Sequence, residues 1–333
     1  MNETLSKSNK IIQQDIILPL VEKYRPTIFN DILFDDFMRE KIKNILKSKQ
    51  LPNMIITGES STGKTSTVLY MAKKIYKEDY ENSVLELNAS YDRGLTMIQQ
   101  TILPFCKKKT NNYKLIILDE ADSITQKAQN LLNNIIAEYK RNTRFIFICN
   151  ERFKINESIQ SRCMLLHFPR ISKKNIKKRL VEICTKENVE YDDEGLSRLM
   201  FCSNYDIRQC INNIECILYG NMKIESETID IILDVPKLHN IRKILKYCYE
   251  HDLQNALLIT KELYDSGYSA NDILLIFLKY IENYKDYKEF NEYNLDDKEL
   301  YKIISNIYIR VNNGVDSFLQ LCSCISSIYL LLK

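Results

Sequence analysis

No Cys-x-x-Cys pair occurs in this sequence, although it holds 10 cysteines; Cys322 and Cys324 come closest to one. Its three histidines, His167, His239 and His251, have no partner at metal-ligand spacing. Together these absences argue against a zinc site and a disulfide framework. Most cysteines lie in apolar periodic segments such as FIFIC and VEIC, which reads as reduced, buried, intracellular thiols. No apolar run approaches the ~18 residues of a membrane span, and the first twenty residues lack a signal-peptide core, so a soluble intracellular chain without membrane contact is expected. Neither charge sign dominates: 47 Lys and Arg face 44 Asp and Glu, which excludes a globally basic nucleic-acid coat and makes any polyanion surface local. Tryptophan is missing, and glycine and proline are scarce at 7 and 6. The surplus lies in Asn, Ile, Lys and Tyr, as a biased source genome would give. No internal repeat is evident.

What is present is enough for two or three domains: 333 residues, 45% of them hydrophobic. Between residues 20 and 170 short apolar runs alternate with helical patterns. The runs are NMIIT (53–57), VLELN (84–88), YKLIILDEAD (113–122) and TRFIFICN (143–150). Helices are predicted from Lys64, around 95–106 and over QKAQNLLNNIIAEYK. Apolar strands separated by helices imply a parallel sheet covered on both faces, an α/β domain. After Pro169 the strands fade. Ser172 reads as an N-cap for KKNIKKRLVEICTKEN, followed by helices at 192–202 and 206–219. A third, all-helical block follows Val235-Pro236, with helices at 238–250, 252–266, 270–283, 296–311 and 314–332. The expected organisation is a tail (1–19), an α/β domain (20–169), a small helical domain (170–233) and a C-terminal helical domain (234–333).

The stretch TGESSTGKTST (57–67) carries the chemistry. Gly58, four residues, then Gly63, Lys64 and Thr65, set between a strand and a helix, form a phosphate-binding loop. Backbone N–H groups of Ser61, Thr62, Gly63 and Ser66 and the helix N-terminus suit phosphate oxygens, Lys64 reaches the outer phosphates, and the Thr65 hydroxyl suits Mg²⁺. LIILDEAD supplies the second element, Asp119 acting through Mg²⁺ and Glu120 polarising a water. A solvated acidic turn is the plain alternative, and the glycine loop outweighs it. Ser61 stands where positive φ is expected, which strains any side chain by roughly 1–3 kcal/mol. Glu59 adds a negative charge near the phosphates unless it points to solvent.

VEKYRP (21–26), the glycine loop, LELNASYDRG (85–94), IILDEADSIT (116–125), CN (149–150) and SIQSRC (158–163) come in an order that resembles replication factor C small subunits, AAA+ ATPases of the clamp loader. YDIRQCINNIE (205–215), LYDSGYSANDIL (263–274) and VNNGVDSFLQ (311–320) extend the resemblance over almost the whole chain, and the later segments are most similar to the second-subunit, forty-kilodalton type. The resemblance implies an AAA+ domain, a helical lid and a helical collar that joins subunits. It implies ATP with Mg²⁺ as cofactors, other subunits of a heteropentamer, the sliding clamp (PCNA) and primer–template DNA as partners, and a nuclear location. Residue by residue, it implies that Val21, Tyr24, Arg25 and Pro26 line the adenine side. It makes Asn150 and Arg208 first and second sensors, and Arg162 an arginine finger acting in trans. The plain alternatives are a strand-end turn for Asn150, an amphipathic-helix surface residue for Arg208 and a helix cap for Arg162. This chain departs from the family in having Leu20 for Trp, Glu59-Ser60-Ser61 in the loop, Asn204-Tyr205 for Gly-Asp, and NERFKI (150–155).

For DNA, Arg93 is a candidate contact, and Lys107-Lys108-Lys109 is as readily a solvated loop. Lys173, Lys174, Lys177, Lys178 and Arg179 read as a solvated helix face. Met97, Ile98, Ile102, Leu103 and Phe105 read as core by pattern, whereas the resemblance implies that they face the clamp. A structural subunit without turnover, lending Arg162 to a neighbour, is the second reading. A branch-migration motor is a third, disfavoured by the helical block at the C-terminus.

Overall fold

A computed structural model describes residues 18–47, 51–91, 94–110, 113–233, 238–282 and 297–332, which form two compact units dividing after Ser226. In the first unit β1 (Met54–Gly58), β2 (Val84–Asn88), β3 (Lys114–Asp119), β4 (Thr143–Cys149) and β5 (Met164–Phe168) build one sheet in the order β2-β3-β4-β1-β5, every pair parallel. The runs of β1, β3 and β4 are continuous because both faces are covered, whereas β2, at an edge, buries only Val84. Met54, Ile56, Ile117 and Ile146 point to one layer, with Met38 and Ile42 of α1 (Asp36–Lys47) and Val68 and Met71 of α2 (Lys64–Tyr76). Ile55, Ile116, Phe145 and Phe147 point to the other. They meet Ile98 and Ile102 of α3 (95–107) and Leu132 of α4 (Gln126–Glu138). The sign alternates along each strand as a period of two requires.

β5, at the other edge, is apolar in sequence but less buried. Only Leu166 and Phe168 are buried, while Met164, Leu165 and His167 are exposed, the pattern of a strand paired on one side. The helix expected at 95–106 forms, with a π segment at Ile98–Ile102, and Met97, Ile98, Ile102 and Cys106 belong to the core. Its end is fixed from the sheet: Lys114, fully buried at the start of β3, donates from Nζ to the carbonyls of Phe105 (3.0 Å), Cys106 (2.5 Å) and Lys108 (2.5 Å). Burial lowers the pKa of this ammonium. Three carbonyls at a helix C-terminus are the groups a buried cation needs. Lys107, Lys108 and Lys109 are exposed.

The helical part of this unit comprises α5 (Lys173–Glu187), α6 (Asp193–Cys202) and α7 (Ile207–Tyr219). Side chains of Ser172, Asp192 and Asp206 cap them, Ser172 through the Asn175 N–H at 3.3 Å. The basic face of α5 is only partly solvated: Lys173, Lys174 and Lys178 are exposed, Lys177 pairs with Asp193 at 3.1 Å, and Arg179 is buried. Leu20, in the position where the resembling family has Trp, is buried as well.

The second unit is a bundle of α8 (Leu238–Tyr249), α9 (Leu253–Asp265), α10 (Ala270–Glu282), α11 (Asp297–Asn312) and α12 (Phe318–Leu332). Its core gathers Ile244, Leu263, Ile273, Phe277, Ile304 and Ile328. The last helix starts at Phe318 rather than 314, because Gly314 takes φ +98° and closes the end of α11 with its N–H on the Val311 carbonyl. The cysteines are free thiols, most of them buried. Among the described residues no helix is long and apolar enough to cross a membrane.

Candidate nucleotide-binding site

β1 delivers the chain into the glycine loop, and α2 begins at its far end. Gly58 has φ +150°, and a Cβ there would come within 2.5 Å of the Phe168 carbonyl oxygen on β5. Gly63 has φ +84°, where a side chain is strained. Ser61 shares this backbone class at φ +59° without being glycine, as the sequence led one to expect. Its hydroxyl is buried and makes no hydrogen bond. Thr62 closes the loop through its hydroxyl on the Glu59 carbonyl at 2.9 Å.

The Lys64 ammonium is buried inside the loop it follows. It donates to the carbonyls of Gly58 (2.9 Å) and Glu59 (2.6 Å) and to Asn150 Oδ1 (2.9 Å). Burial lowers its pKa, against Asp119, Cys149 and Asp122, which raise it, and with Arg208, which lowers it further. At the next residue, the Thr65 hydroxyl donates to Asp119 Oδ2 at 2.9 Å. Thus the α2 N-terminus and the ends of β3 and β4 meet through two pairs, Lys64–Asn150 and Thr65–Asp119. Glu120, next after β3, has φ +52°, and its carboxylate lies 3.5 Å from Asn88 Nδ2 at the end of β2. Asp122 accepts the N–H groups of Asn150 (3.3 Å) and Glu151 (3.4 Å), fixing the turn after β4. Neither Asn88 nor Asp122 was singled out by sequence; Asn88 closes β2 at the register position beside Asp119, which only the fold reveals.

A cleft of roughly 700 Å³, counting its open mouth, joins the remaining candidates. Val21, Tyr24, Arg25 and Pro26 line one side, Ser61, Thr62, Gly63 and Ser66 the loop side, and Arg208 with Ile207 and Ile211 the helical side. Arg208 reaches the cleft although Asn204 and Tyr205 are both left-handed, at φ +53° and +58°. Asp206 sets the start of α7, with Oδ1 accepting from the N–H groups of Arg208 (2.8 Å) and Gln209 (3.3 Å). Its other oxygen accepts the Ser60 hydroxyl at 3.0 Å, and Glu59 pairs with Arg170. The unusual loop residues therefore face the helical part, and Glu59 has a cationic partner rather than solvent alone. Arg162 is not gathered in. It follows a short helix (Glu157–Gln160), is exposed, and donates to the Ser158 carbonyl at 2.6 Å. Arg93 lies outside the described residues.

A buried ammonium, a turn of free amides at a helix N-terminus and a hydroxyl–carboxylate pair together suit a polyphosphate and a hard cation. Comparison with known proteins agrees. Residues 54–170 match the model of the ATPase family associated with various cellular activities. Residues 173–230 match an RFC1-like AAA+ ATPase lid domain, and 236–327 the replication factor C C-terminal domain. Replication factor C subunit 2 of Arabidopsis thaliana is 35% identical, covering 93% of this chain and 92% of its own. The chain belongs to the replication factor C small-subunit family. Replication factor C subunit 4 of Saccharomyces cerevisiae is 34% identical over 94% of this small subunit and 96% of its own chain. Among solved structures, the Thermotoga maritima RuvB Holliday junction branch migration motor is similar at a TM-score of 0.52, covering 67% of this small subunit and 78% of that chain. At 13% identity, that likeness concerns the fold alone. As a family member, this small subunit is an AAA+ ATPase with a lid and a C-terminal helical domain, of a kind that works in a multi-subunit clamp loader for DNA replication.

Proposed function

We propose that this small subunit binds ATP with Mg²⁺ in the cleft and hydrolyses it within a heteropentamer, where the cycle places the sliding clamp (PCNA) on primer–template DNA in the nucleus. The observation that carries the reading is the pair of contacts Lys64–Asn150 and Thr65–Asp119. They set an ammonium, an amide, a hydroxyl and a carboxylate where the terminal phosphates of a nucleotide in the loop would lie. The Thr65 hydroxyl and Asp119 carboxylate are hard oxygen donors and fit Mg²⁺, which supplies neutralisation of charge on the phosphate oxygens when bound. Lys64 exchanges its carbonyl partners for phosphate oxygens. Glu120 accepts the proton of the attacking water, which Asn150 orients, and Arg208 reports from the lid. Arg162 lies apart from this cleft and so is free to serve a neighbour's nucleotide, where a planar guanidinium suits charge spread over phosphate oxygens. We place the AAA+ domain at 20–169, the lid at 170–233 and the subunit-joining collar at 234–333, and Arg93 on the DNA.

A second reading has its own observation. Ser61 combines left-handed backbone with a buried hydroxyl lacking a partner, a combination that disfavours the empty loop. A subunit of this kind could bind without turnover, providing collar contacts and Arg162 to another site. Binding of a fluorescent ATP analogue with Mg²⁺, for the chain alone and assembled with its neighbours, tests the shared premise: Lys64→Ala should weaken it ~100-fold, in line with losing a charge-assisted contact to the phosphates. Glu120→Gln separates the two readings. Clamp-loading turnover falls sharply under the first with ATP still bound, and is unchanged under the second.

A further inference from the structure

The side of the cleft opposite the phosphate loop is fastened to the lid helix α5. The Tyr24 hydroxyl donates to the Glu187 carboxylate in the last turn of α5. The Lys23 ammonium lies 2.8 Å from the same carboxylate. Arg179, two turns earlier on α5, donates to the Tyr24 carbonyl at 3.3 Å and pairs with Glu182 at 3.1 Å. Glu187 is well covered, with 14% of its side chain exposed. Burial works to raise its pKa, but the bonds from Lys23 and Tyr24 outweigh that and hold it low. An acidic side chain in the last turn of a helix is opposed by the helix dipole, so this placement is stabilised by the partners it holds and not by the helix.

Lys64 and Thr65 fix the phosphate end of the cleft. Its other end, where Val21, Tyr24, Ile207 and Ile211 gather beside Arg179, is largely apolar with one aromatic ring and suits the flat part of a nucleotide. Tyr24 and Arg179 line that end, whereas Glu187 lies behind Tyr24 and outside the lining.

We propose that Glu187, with Arg179, is a positioning residue that holds Tyr24 against the lid and thereby sets the base side of the cleft. Base recognition in this subunit is then carried by α5, and a lid displacement takes the base-side segment with it. The inference rests on the nucleotide reading above.

The test compares two ligands on the full chain, alone and assembled with neighbouring subunits: Mg-ATP, and inorganic tripolyphosphate, which has no base. Glu187→Ala and Tyr24→Phe should each weaken ATP roughly three- to ten-fold, the range of one ordinary intramolecular hydrogen bond, because the contact acts on the base only through Tyr24. Tripolyphosphate affinity should stay within two-fold. Combined, the two substitutions should cost no more than the larger alone, since they remove one contact. Tyr24→Phe keeps the ring, so it reads the contact even where Glu187→Ala lowers the unfolding temperature. Equal losses for both ligands would reduce Glu187 to a structural residue and overturn the proposal, as would unchanged ATP binding or additive effects. If the unaltered chain shows no Lys64-dependent ATP binding, the nucleotide reading falls and this inference with it.

Discussion

The two units differ in where their backbone departs from the ordinary. Among the described residues, the second unit has one non-glycine residue at positive φ, His251. The first has Ser61, Lys77, Glu120, Asn188, Asn204, Tyr205 and Asn221. Ser61 in the loop and Glu120 after β3 belong to the candidate site, and Asn188, Asn204, Tyr205 and Asn221 lie in the part that matches the lid. Such conformations persist only where surroundings enforce them, and they gather at sites that hold ligands. The bundle has no comparable demand. Its side chains need only fill space, and its turns can take the glycines at 267 and 314, both at positive φ. A regular unit built for packing thus stands in one chain with an irregular one built for chemistry.

The largest effect should come from the bundle. Phe277, 1% exposed, loses its core contacts on substitution to Ala, and the second unit should lose about 3–5 kcal/mol by denaturant unfolding. Nucleotide affinity should be unchanged; a parallel loss would break the distinction between the units. A smaller change of opposite sign is expected at the loop. Ser61→Gly relieves left-handed strain and removes an unpartnered hydroxyl, offset by glycine's chain entropy, for a net gain of about 1 kcal/mol. It should show as a raised unfolding temperature of the first unit, and a fall would mean that the serine is held by something other than strain. The smallest effect concerns pH. Burial lowers the Lys64 pKa, so its proton leaves more readily in the folded chain than from a free lysine. Nucleotide affinity should therefore decline on the alkaline side at a lower pH than free lysine would give, and a titration of binding against pH would sharpen the comparison by reading one buried group.

Much of this was legible in the residues, and the remainder has a common cause. Four runs became β1 to β4; β1, β3 and β4 are buried almost throughout, whereas β2, at one edge, buries only Val84. β5, MLLHF at the other edge, was not read as a strand, and buries Leu166 and Phe168. The loop, Asp119 and Glu120 were found by spacing, and the strain at Ser61 by the glycine it replaces. Contacts across the fold escaped. Nothing local marks Asp206 as the partner of Ser60, Arg170 as that of Glu59, or Glu187 as that of Tyr24, because each pair is separated by more than a hundred residues. Arg179 was read as one lysine-like member of a solvated face, though it is the member turned inward to Tyr24. Lys114 belongs with these: the helix-end carbonyls that surround its ammonium are brought to it only by the fold.

That lysine has a consequence for the tolerance of the chain to change. Because Lys114 ties the carbonyls of Phe105, Cys106 and Lys108 directly to the first residue of β3, a side chain joins the helix end to the sheet. That clamp holds the two elements in register whatever the length of chain between them. Lengthening a loop whose ends are already clamped adds little closure entropy, about 0.6 kcal/mol per doubling. Residues inserted between α3 and β3, a tag or a reporter peptide, should therefore leave β3 and its Asp119 in place.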